Sequence, residues 1–475
     1  MLIRKIPLLS LLLFSAIVIS TSLALGNSGA SNSIAIDRPN IIFILIDDMG
    51  YGDLSAFGNK KIKTPHIDRL AKEGIKFTNF YVGAPICSPS RVAALTGQYP
   101  SRHGINSFLA SRERNKKRSM PNFLDANAPS IARSMKKAGY VTAHFGKWHM
   151  GGGRDVGDAP HPKTYGFDES LVSFEGLGDR LLIKGDDLSV ASAKLGQGEI
   201  TWVEKHEITP ILVTRTLDFI KQHQKERFYI HLWTGDVHDP FHPKEEHMKM
   251  YKEYGNNPYE QQFLAVLYQL DQQIGRLLIG LDEMGLTNQT LVVLASDNGP
   301  TDWAYYYAEN HAPPGSEGPF RGRKWSLYEG GIRVPFLARW PGHIPGGITN
   351  DSTVLNAVDL FPTLCRLAEA SMPMADFDGE DMSCALIGKV QQRKKPMFWN
   401  YGSEFDIKPG HARYRSPNLA IRDGNWKLLI NRDSSSLELY NLMDDQAETT
   451  NLAYRHPEVA RRLSDQLLHW HRDLP

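Results

Sequence analysis

Two unbroken apolar runs dominate the pattern of hydrophobic and polar positions along this chain. The first covers residues 40–46 and ends in Asp47-Asp48, and the second covers residues 290–296 and ends in Asp297-Asn298. A run without polar alternation is typical of a strand that is buried on both faces, as in a parallel sheet covered by helices. Because open α/β sheets place ligands at the carboxyl ends of their strands, these four polar residues are candidate site residues.

Helical segments alternate with further short apolar runs. Helices are predicted where a proline begins a helical pattern or where apolar residues recur at helical spacing. Strands are predicted at short apolar stretches. The pattern predicts helices over residues 65–71, 129–138 and 258–284, and strands over residues 140–145 and 228–233. This alternation predicts a doubly wound α/β fold.

The pattern changes after about residue 391. Short strands are predicted over residues 396–401, 419–422, 426–430 and 437–440, and a final helix over residues 457–472. The tripeptide Asp423-Gly424-Asn425 is typical of a hairpin turn between two of these strands. The sequence therefore predicts a main domain over residues 38–390 and a C-terminal subdomain over residues 391–475, formed by a small antiparallel sheet and the terminal helix.

The N-terminus has the layout of a secretory signal peptide. Arg4 and Lys5 precede an apolar run over residues 6–19, and small residues follow up to Gly26. We expect residues 1–26 to be removed, with cleavage near Ala24 or Gly26, and the protein to be periplasmic or secreted. The run is shorter than the ~20 residues that a membrane span needs, so no stable membrane association is expected.

Charge and cysteine content narrow the function classes. The chain has 54 Lys and Arg against 53 Asp and Glu, so loss of Arg4 and Lys5 changes the formal charge from +1 to −1. A chain so close to neutral has no electrostatic support for nucleic-acid binding. Cys365 lies in a helical core pattern and is expected to be a small buried hydrophobe. A bridge from Cys365 to Cys384 stays open as an alternative in an exported protein.

The polar residues at the two strand ends have the chemistry of a metal site. Asp47, Asp48, Asp297 and Asn298 offer three carboxylates and one amide, which suit calcium or magnesium better than zinc. A single Asp pair would more simply be a solvated strand end. Two such ends after two buried strands favour a site, because clustered carboxylates repel one another unless a cation neutralises them.

A cysteine lies at the start of a predicted helix. The pentapeptide Cys87-Ser88-Pro89-Ser90-Arg91 leads into an apolar helical face that ends at Gly97. Helix N-termini bind anions, and Arg91 adds a fixed cation there. The segment therefore predicts an anion site with a sulfur beside it, and the alternative is a half-buried cysteine that caps the helix.

Three further segments carry cations or imidazoles. In Gly146-Lys147-Trp148-His149, an extended backbone would direct Lys147 and His149 to one site while Trp148 packs behind them. A surface lysine beside a core histidine is the alternative for this segment alone. His238 follows another predicted strand, and Lys324 lies in Gly322-Arg323-Lys324.

Together these motifs resemble those of the sulfatase family, the formylglycine-dependent cysteine-type enzymes of the alkaline phosphatase superfamily. The matching blocks are C-x-P-S-R at Cys87, G-K-W-H at Lys147, an H-x-P loop at His238, and residues 318–335. The resemblance extends from about Pro39 to Leu452. It implies an alkaline-phosphatase-like fold: a large mixed, mostly parallel sheet sandwiched by helices, with a small C-terminal antiparallel sheet and helix.

The resemblance also implies the composition of the active site. A maturation enzyme would oxidise Cys87 to formylglycine, and one calcium ion would be held by Asp47, Asp48, Asp297, Asn298 and the modified Cys87. Arg91, Lys147, His238 and Lys324 would bind the sulfate ester. In the family, the aldehyde hydrate attacks sulfur, His149 helps to remove the second hydroxyl proton, and His238 with Lys324 stabilises the leaving oxygen.

Four long segments are expected to shape the substrate pocket. They cover residues 106–127, 151–163, 173–206 and 301–316. The last one contains aromatic side chains that either stack on a sugar or pack beneath the loop, namely Trp303, Tyr305, Tyr306, Tyr307 and His311.

We expect a sulfated carbohydrate as substrate, with sulfate removed from an accessible chain end. The alternatives are a phosphonate monoester or phosphodiester hydrolase of the same superfamily, or a non-catalytic carbohydrate-binding relative. The sequence predicts no particular oligomeric state.

Overall fold

The computed structural model describes residues 38–475, which belong to one compact unit. The predicted signal peptide over residues 1–26 lies outside the described residues. Within 38–475, no helix combines the length and the apolar character that are needed to cross a bilayer.

The strands of the described chain are as follows. In chain order they are β1 (Asn40–Ile46), β2 (Ile75–Tyr81), β3 (Tyr140–Lys147), β4 (Glu169–Phe174), β5 (Arg180–Ile183), β6 (Ile200–Val203), β7 (Arg227–Thr234), β8 (Thr290–Ser296), β9 (Arg333–Arg339), β10 (Ile348–Asn350), β11 (Leu355–Asn356), β12 (Met397–Asn400), β13 (Leu419–Asp423), β14 (Trp426–Ile430) and β15 (Glu438–Asn441).

The α-helices alternate with these strands. In chain order they are α1 (Pro65–Lys72), α2 (Cys87–Thr96), α3 (Arg112–Lys117), α4 (Ile131–Lys137), α5 (Asp187–Ala193), α6 (Ile208–Gln222), α7 (Glu245–Lys249), α8 (Pro258–Glu283), α9 (Ala304–Ala308), α10 (Glu329–Ile332), α11 (Leu360–Leu367), α12 (Ser383–Leu386) and α13 (Pro457–Arg472).

The main sheet of the described residues has eleven strands in the order β10-β2-β9-β8-β1-β7-β3-β4-β5-β6, with β11 paired to β2. Its pairs are parallel except where β9 meets β2 and β8. The predicted mixed, mostly parallel sheet with helices is therefore confirmed.

The centre of the sheet explains the two apolar runs. β1 pairs in parallel with β8 on one side and with β7 on the other. Ile42, Ile44 and Ile46 belong to a core shared with α1, α6 and α8. On the other face, the ring of Phe43 contacts the rings of His231 and Trp233 of β7. β1 is buried along its whole length, as predicted for a central strand.

Two predicted boundaries differ from the structure. The helix predicted over residues 129–138 begins only at Ile131, because Ser130 before it is extended. The strand predicted to end at Phe145 continues to Lys147, since it stays paired with β7 and β4. Gly146 permits this close pairing, because a Cβ there would lie 1.8 Å from the carbonyl oxygen of Trp233.

The small C-terminal sheet is antiparallel, in the order β12-β13-β14-β15. Gly424 and Asn425 form the two-residue turn between β13 and β14, as predicted. Ala460, Leu463 and Leu467 of α13 pack against this sheet. The sheet and α13 both follow residue 391, but the proposed domain boundary there stays a prediction.

A buried charge cluster involves the small sheet. Nζ of Lys427, on β14, lies 2.9 Å from Oε1 of Glu329 on α10 and 2.9 Å from Oε1 of Glu448. The hydroxyl of Tyr81 and the guanidinium of Arg333 also contact Glu329. We call Glu329, Lys427 and Glu448 the structural charge cluster.

The cysteines outside α2 form no bridge. Cys365 is buried in α11, as expected for a small hydrophobe, whereas Cys384 is exposed, and both are free thiols. The alternative of a disulfide between them is therefore wrong for this structure.

Candidate active site

The predicted site residues meet at the carboxyl ends of the central strands. Cavity-lining atoms come from Asp47, Cys87, Lys147, His149, His238 and Lys324. The cavity has a volume of about 450 Å³. Arg91, Asp48, Asp297 and Asn298 are buried beside these residues and are joined to them by hydrogen bonds and ion pairs. We call these ten residues the active-site cluster.

Asp47 and Asp48 follow β1 directly. The two side chains point in different directions because Asp48 has a φ of +62°. This is a left-handed conformation, which Asp tolerates better than most residues. Asp47 Oδ2 lies 2.5 Å from Nζ of Lys147, and Asp48 Oδ2 lies 2.5 Å from Nζ of Lys324. Each of the two carboxylates at the end of β1 therefore pairs with its own lysine.

Asp297 and Asn298 follow β8 and reach the same point from the neighbouring strand. Asp297 Oδ1 accepts a hydrogen bond from the backbone N–H of Asp48 at 3.0 Å. The side-chain amide of Asn298 donates to Asp48 Oδ1 at 2.7 Å. The parallel pairing of β1 and β8 brings the two sequence motifs together, as the sequence pattern predicts.

Cys87 is the first residue of α2, at the predicted start of the helix, and it is fully buried, not half-buried. Ile86 before it is extended, and Gly97 ends the helix with φ +68°. Arg91 lies one helical turn after Cys87, so both side chains share one face. Its Nη2 donates to Asp297 Oδ2 at 2.6 Å, and its Nη1 donates to the carbonyl oxygen of Lys147 at 3.1 Å.

Lys147 and His149 both reach the cavity, but not on one extended segment as the sequence argument assumed. β3 ends at Lys147, and His149 has a left-handed φ of +51°. The ring Nε2 of His149 lies 3.2 Å from the carbonyl oxygen of Leu109. A carbonyl oxygen can only accept, so Nε2 carries the proton and Nδ1 keeps a free lone pair. Trp148 packs behind them against the rings of His144 and Tyr165, as predicted.

His238 lies in the loop after β7, and a lysine holds that loop. Nζ of Lys205 donates to the carbonyl oxygens of His238 and Pro240 at 2.6 and 2.7 Å. The ring Nδ1 of His238 contacts the carbonyl oxygen of Asp239, and its Nε2 lies 3.6 Å from Asp48 Oδ2. The histidine ring is therefore directed toward the strand-end carboxylates.

Lys324 comes from the loop before α10. Its backbone N–H donates to the carbonyl oxygen of Pro300 at 2.9 Å, which ties this loop to the segment after Asp297 and Asn298. Nζ also lies 5.4 Å from the centre of the Trp325 ring. Thus the lysine that pairs with Asp48 is fixed at both its backbone and its side chain.

Burial and mutual charge shift the pKa values of the acidic groups. Burial would raise the pKa of Asp47, but Lys147, His238 and Arg91 outweigh it and hold that pKa well below its usual range. Burial raises the pKa of Asp48, and burial together with repulsion from Asp47 raises that of Asp297. Such opposed shifts among close carboxylates are typical of functional sites.

The cationic and neutral groups respond in the same field. Burial lowers the pKa of His149, and Lys147 adds to that effect, so the ring stays neutral. Burial raises the pKa of the Cys87 thiol, and Asp47 raises it further. Burial would lower the pKa of Lys324, but the attraction of Asp48 and Asp47 outweighs it and raises that pKa well above its usual value. An unmodified Cys87 is therefore a protonated thiol, which is a poor nucleophile.

The donor atoms fit a divalent cation. Asp47, Asp48, Cys87 and His238 each place a ligand atom within 4.8 Å of the others. Asn298 Oδ1 is buried and accepts no hydrogen bond from the described residues. An unsatisfied buried amide oxygen beside three carboxylates suits a hard cation that prefers oxygen. Asp297 is near the same group but is held by Arg91 and the Asp48 N–H.

Residues that the sequence analysis did not single out form the cavity walls. They are Ile86, Phe108, Arg114, Arg154, Ser173, Phe174, Ile183, Asp186, Leu188, Lys205, Ile208, Thr209, Gly235, Asp236, Asp239, Pro240, His242, Trp325 and Ile407. Several belong to the four segments that were expected to shape a pocket, and Trp303 also lines the cavity. The length of those segments predicted that they shape the pocket, but nothing in the sequence predicted which of their side chains line it.

The aromatic side chains after residue 301 separate into two roles. Trp303 is 41% exposed and lines the cavity, with its ring 6.0 Å from that of Trp325. Tyr306 is buried against Tyr259, and the hydroxyl of Tyr307 donates to Asp302 at 2.6 Å. Of this group, Trp303 is thus the one that can contact a ligand in the cavity.

Family models match nearly all of the described chain. A model described as Sulfatase matches residues 39–370. A second, described as N-sulphoglucosamine sulphohydrolase, C-terminal, matches residues 317–473. The first alone covers more than half of the 475 residues.

Known proteins resemble the chain over most of their length. An N-acetylgalactosamine-6-O-sulfatase of Bacteroides thetaiotaomicron is 30% identical, over 90% of this chain and 92% of that protein. Human arylsulfatase A is also 30% identical, over 92% of this chain and 88% of its own. The crystal structure of Ps i-CgsB in complex with k-i-k-neocarrahexaose has a TM-score of 0.76 at 27% identity, covering 92% of this chain and 94% of that one.

Proposed function

The chain belongs to the sulfatase family and is a sulfuric ester hydrolase, and from that premise we propose that it removes sulfate from an accessible end of a sulfated carbohydrate. The observation that carries the proposal is the walled cavity of about 450 Å³ above the active-site cluster. This volume lies within the range of small-molecule pockets. A pocket of this kind admits the end of a chain more readily than its middle.

The cavity walls suit a sugar. Trp303 and Trp325 offer aromatic faces, and Asp186, Asp236 and Asp239 offer carboxylates that can accept hydrogen bonds from hydroxyls. The relatives point the same way, because one is named for N-acetylgalactosamine 6-O-sulfate and a structural neighbour was crystallised with a neocarrahexaose.

Two groups that the described chain does not contain complete the proposal: one calcium ion and formylglycine in place of Cys87. Asp47, Asp48, Asp297 and Asn298 would hold the ion, and magnesium is the physical alternative. The ion would supply Lewis-acid polarisation and the modified residue a hydrated aldehyde as nucleophile. The buried, unsatisfied Oδ1 of Asn298 and the three close carboxylates support a cation at this place.

The chain's own cations would bind the ester. Arg91, Lys147 and Lys324 carry the charges that hold the non-bridging sulfate oxygens. Lys324 and His238 would stabilise charge on the leaving oxygen as its bond to sulfur breaks. The free lone pair on Nδ1 of His149 can accept a proton beside Cys87 and Lys147.

The charges of the site favour an anionic ester. Three carboxylates, Asp47, Asp48 and Asp297, face three permanent cations, Arg91, Lys147 and Lys324. A divalent cation would add two positive charges to this balanced set, so the occupied site would attract an anionic ester.

The test combines a substrate panel with mass spectrometry of the protein from its native host. Sulfated mono- and oligosaccharides, aryl sulfates and a phosphodiester are compared on one preparation, with the Cys87→Ala variant as the inactive control. Turnover of aryl sulfates without any sulfated sugar would contradict the carbohydrate proposal. Phosphodiester turnover above sulfate turnover would favour the other hydrolase class, and a modified but inert protein would favour a non-catalytic relative.

The peptide that contains Cys87 reports on maturation. Cleavage after Lys76 and Arg91 releases residues 77–91, whose mass falls when the thiol becomes an aldehyde. We propose that a formylglycine-generating enzyme acts on this segment and that the chain is exported after loss of residues 1–26. An unchanged thiol in active protein would contradict the first proposal, and a mature N-terminus at Met1 the second.

A further inference from the structure

One arginine in the wall of the substrate pocket has no ionic partner among the described residues. Arg112 pairs with Asp158, Lys117 pairs with Glu113, and Arg118 lies 2.9 Å from Asp406. Arg114 lines the cavity, yet no described carboxylate lies within 4.0 Å of its guanidinium. It is therefore a cation that faces the pocket and that no charge within residues 38–475 neutralises.

A contact with the Phe108 ring positions Arg114. Its guanidinium carbon lies 4.8 Å from the centre of the Phe108 ring, and that of Arg118 lies 4.2 Å from the same ring. Arg118 also donates to the carbonyl oxygen of Phe108 at 2.9 Å. Phe108 is buried and lines the cavity. Stacking on this fixed ring orients the guanidinium while its N–H groups make no hydrogen bond to the described chain.

The charges around Arg114 leave this side of the pocket positive. Arg154, which also lines the cavity, is paired with Glu175 at 2.9 Å. Three arginines, Arg114, Arg118 and Arg154, thus face two carboxylates, Asp406 and Glu175. Four carboxylates line the cavity: Asp47 is paired with Lys147, and Asp186, Asp236 and Asp239 lie on segments other than that of Arg114.

The arginine is not needed for the sulfate that is cleaved. That group has Arg91, Lys147 and Lys324 at the strand ends, all buried in the active-site cluster. Arg114 comes instead from α3, in one of the segments that shape the pocket. An arginine fork matches the geometry of carboxylate and sulfate oxygens.

We propose that Arg114 binds a second anionic group of the substrate, and that the sugar residue in the pocket carries a carboxylate or a second sulfate besides the ester that is cleaved. The proposal rests on the proposed function for the identity of the sugar. The second anionic group distinguishes this substrate from a singly sulfated neutral sugar.

Two pairs of substrates test this assignment. The first pair is N-acetylgalactosamine 6-sulfate and N-acetylgalactosamine 4,6-disulfate, and the second is 4-nitrophenyl sulfate and its 3-carboxy derivative. The wild-type protein should prefer the doubly anionic member of at least one pair. Arg114→Gln should lower kcat/KM for that member about tenfold and change the singly anionic member less than twofold, as expected for a charge-assisted contact that is partly exposed.

Two further variants separate binding from structure. Arg114→Lys keeps the charge but not the planar fork, so it should retain part of the preference. Arg112→Gln removes an arginine from the same helix that pairs with Asp158 outside the cavity, and it should leave kcat/KM unchanged for all four substrates. An equal loss on both members of a pair in Arg114→Gln would show a structural role and overturn the proposal.

The outcomes distinguish this proposal from the function on which it rests. Failure of both sugars, together with an Arg114-dependent preference among the aryl sulfates, would overturn the carbohydrate substrate and keep the anion site. Turnover of sugars without preference for a second anion in either pair would keep the function and overturn the anion site. Preference for the disulfate alone or for the carboxylate alone identifies which anion is bound.

Discussion

The active-site cluster and the structural charge cluster are both buried groups of acids and bases, but their charges are satisfied differently. In the structural cluster, each oxygen of Glu329 and Glu448 lies within 2.9 Å of a donor atom, although Glu448 Oε1 has only an ion pair with Lys427 and no hydrogen bond from the described residues. In the active-site cluster, Asn298 Oδ1 accepts no hydrogen bond from the described residues, and Asp47 Oδ1 lies 3.3 Å from Nη2 of Arg91.

The difference follows from what each cluster encloses. Lys427 is fully buried between two glutamates, so its charge interacts with these side chains and not with a ligand. Lys147 and Lys324 pair with Asp47 and Asp48 but also line a cavity, where an ion and a substrate anion can exchange partners with them. Thus one cluster stabilises the protein by itself, whereas the other is complete only with its ligands.

Removing the cation of the structural cluster should have the largest effect on stability. Lys427→Met leaves two buried glutamates without their shared partner, which should lower the free energy of unfolding by about 3–5 kcal/mol. Denaturant titration measures this loss. Lys61→Met, which removes an exposed ion pair with Glu260, should cost less than ~1 kcal/mol and serves as the control.

The same lysine variant should leave catalysis intact. At a temperature where Lys427→Met is folded, its kcat/KM should equal that of the wild type, because Lys427 is absent from the cavity lining. A large fall in kcat/KM for the folded variant would show that the two clusters are coupled, and it would contradict the separation of stability from activity between them.

Neutralising one active-site carboxylate should lower kcat/KM while leaving the free energy of unfolding nearly unchanged. Asp297→Asn removes the charge that orients Arg91 and helps to hold a cation, so kcat/KM should fall about 10²–10³-fold. The free energy of unfolding without added metal should change by less than ~1 kcal/mol, because repulsion from Asp47 is also removed. Full activity in this variant would contradict the assigned site.

Metal depletion should distinguish the clusters without using activity. Calcium at 100 times its Kd should stabilise the metal-depleted protein by about 2.7 kcal/mol, which thermal unfolding detects. Lys427→Met should show the same metal-dependent shift, and Asp297→Asn a smaller one. Equal shifts in all three proteins would mean that the ion binds elsewhere, and parallel titration with magnesium compares the two ions.

The last effect concerns pH. Burial raises the pKa of Glu448 from 4.5 to about 7, with Lys427 opposing and Glu329 adding to the shift. Because the folded state holds this proton more tightly, its stabilising contribution is complete below pH 4.5 and is lost as pH rises through 7. Glu448→Gln should therefore reduce the fall in the free energy of unfolding between pH 5 and 8 by about 2–3 kcal/mol. An unchanged pH dependence would contradict this assignment.

Much of the fold was predictable because hydrophobic periodicity reports burial directly. β1, β8, α8 and α13 follow the pattern with little error, since each buries a continuous apolar surface. The errors lie at element ends, such as the start of α4 and the end of β3, where pairing with neighbouring strands decides the boundary.

The central site residues were also predictable, for a related reason. The motifs of β1 and β8 meet because parallel neighbours end at the same edge of the sheet. His149 was placed at the site by an argument that the structure corrects, since its left-handed backbone directs the ring to the cavity. Arg114 and Lys205 could not be singled out, because each is one charged residue among many until its partners are known.

The sequence by itself determined the α/β class, the two acidic strand ends and the motifs of a sulfatase, because these depend on local residue order and burial. Only the tertiary structure decided which charges are paired and which are left facing the cavity. Ion pairing depends on distances of a few ångströms between segments far apart in the chain. It separates Lys427, which lies between two glutamates, from Arg114, which faces the pocket without a carboxylate partner in the described part of the chain.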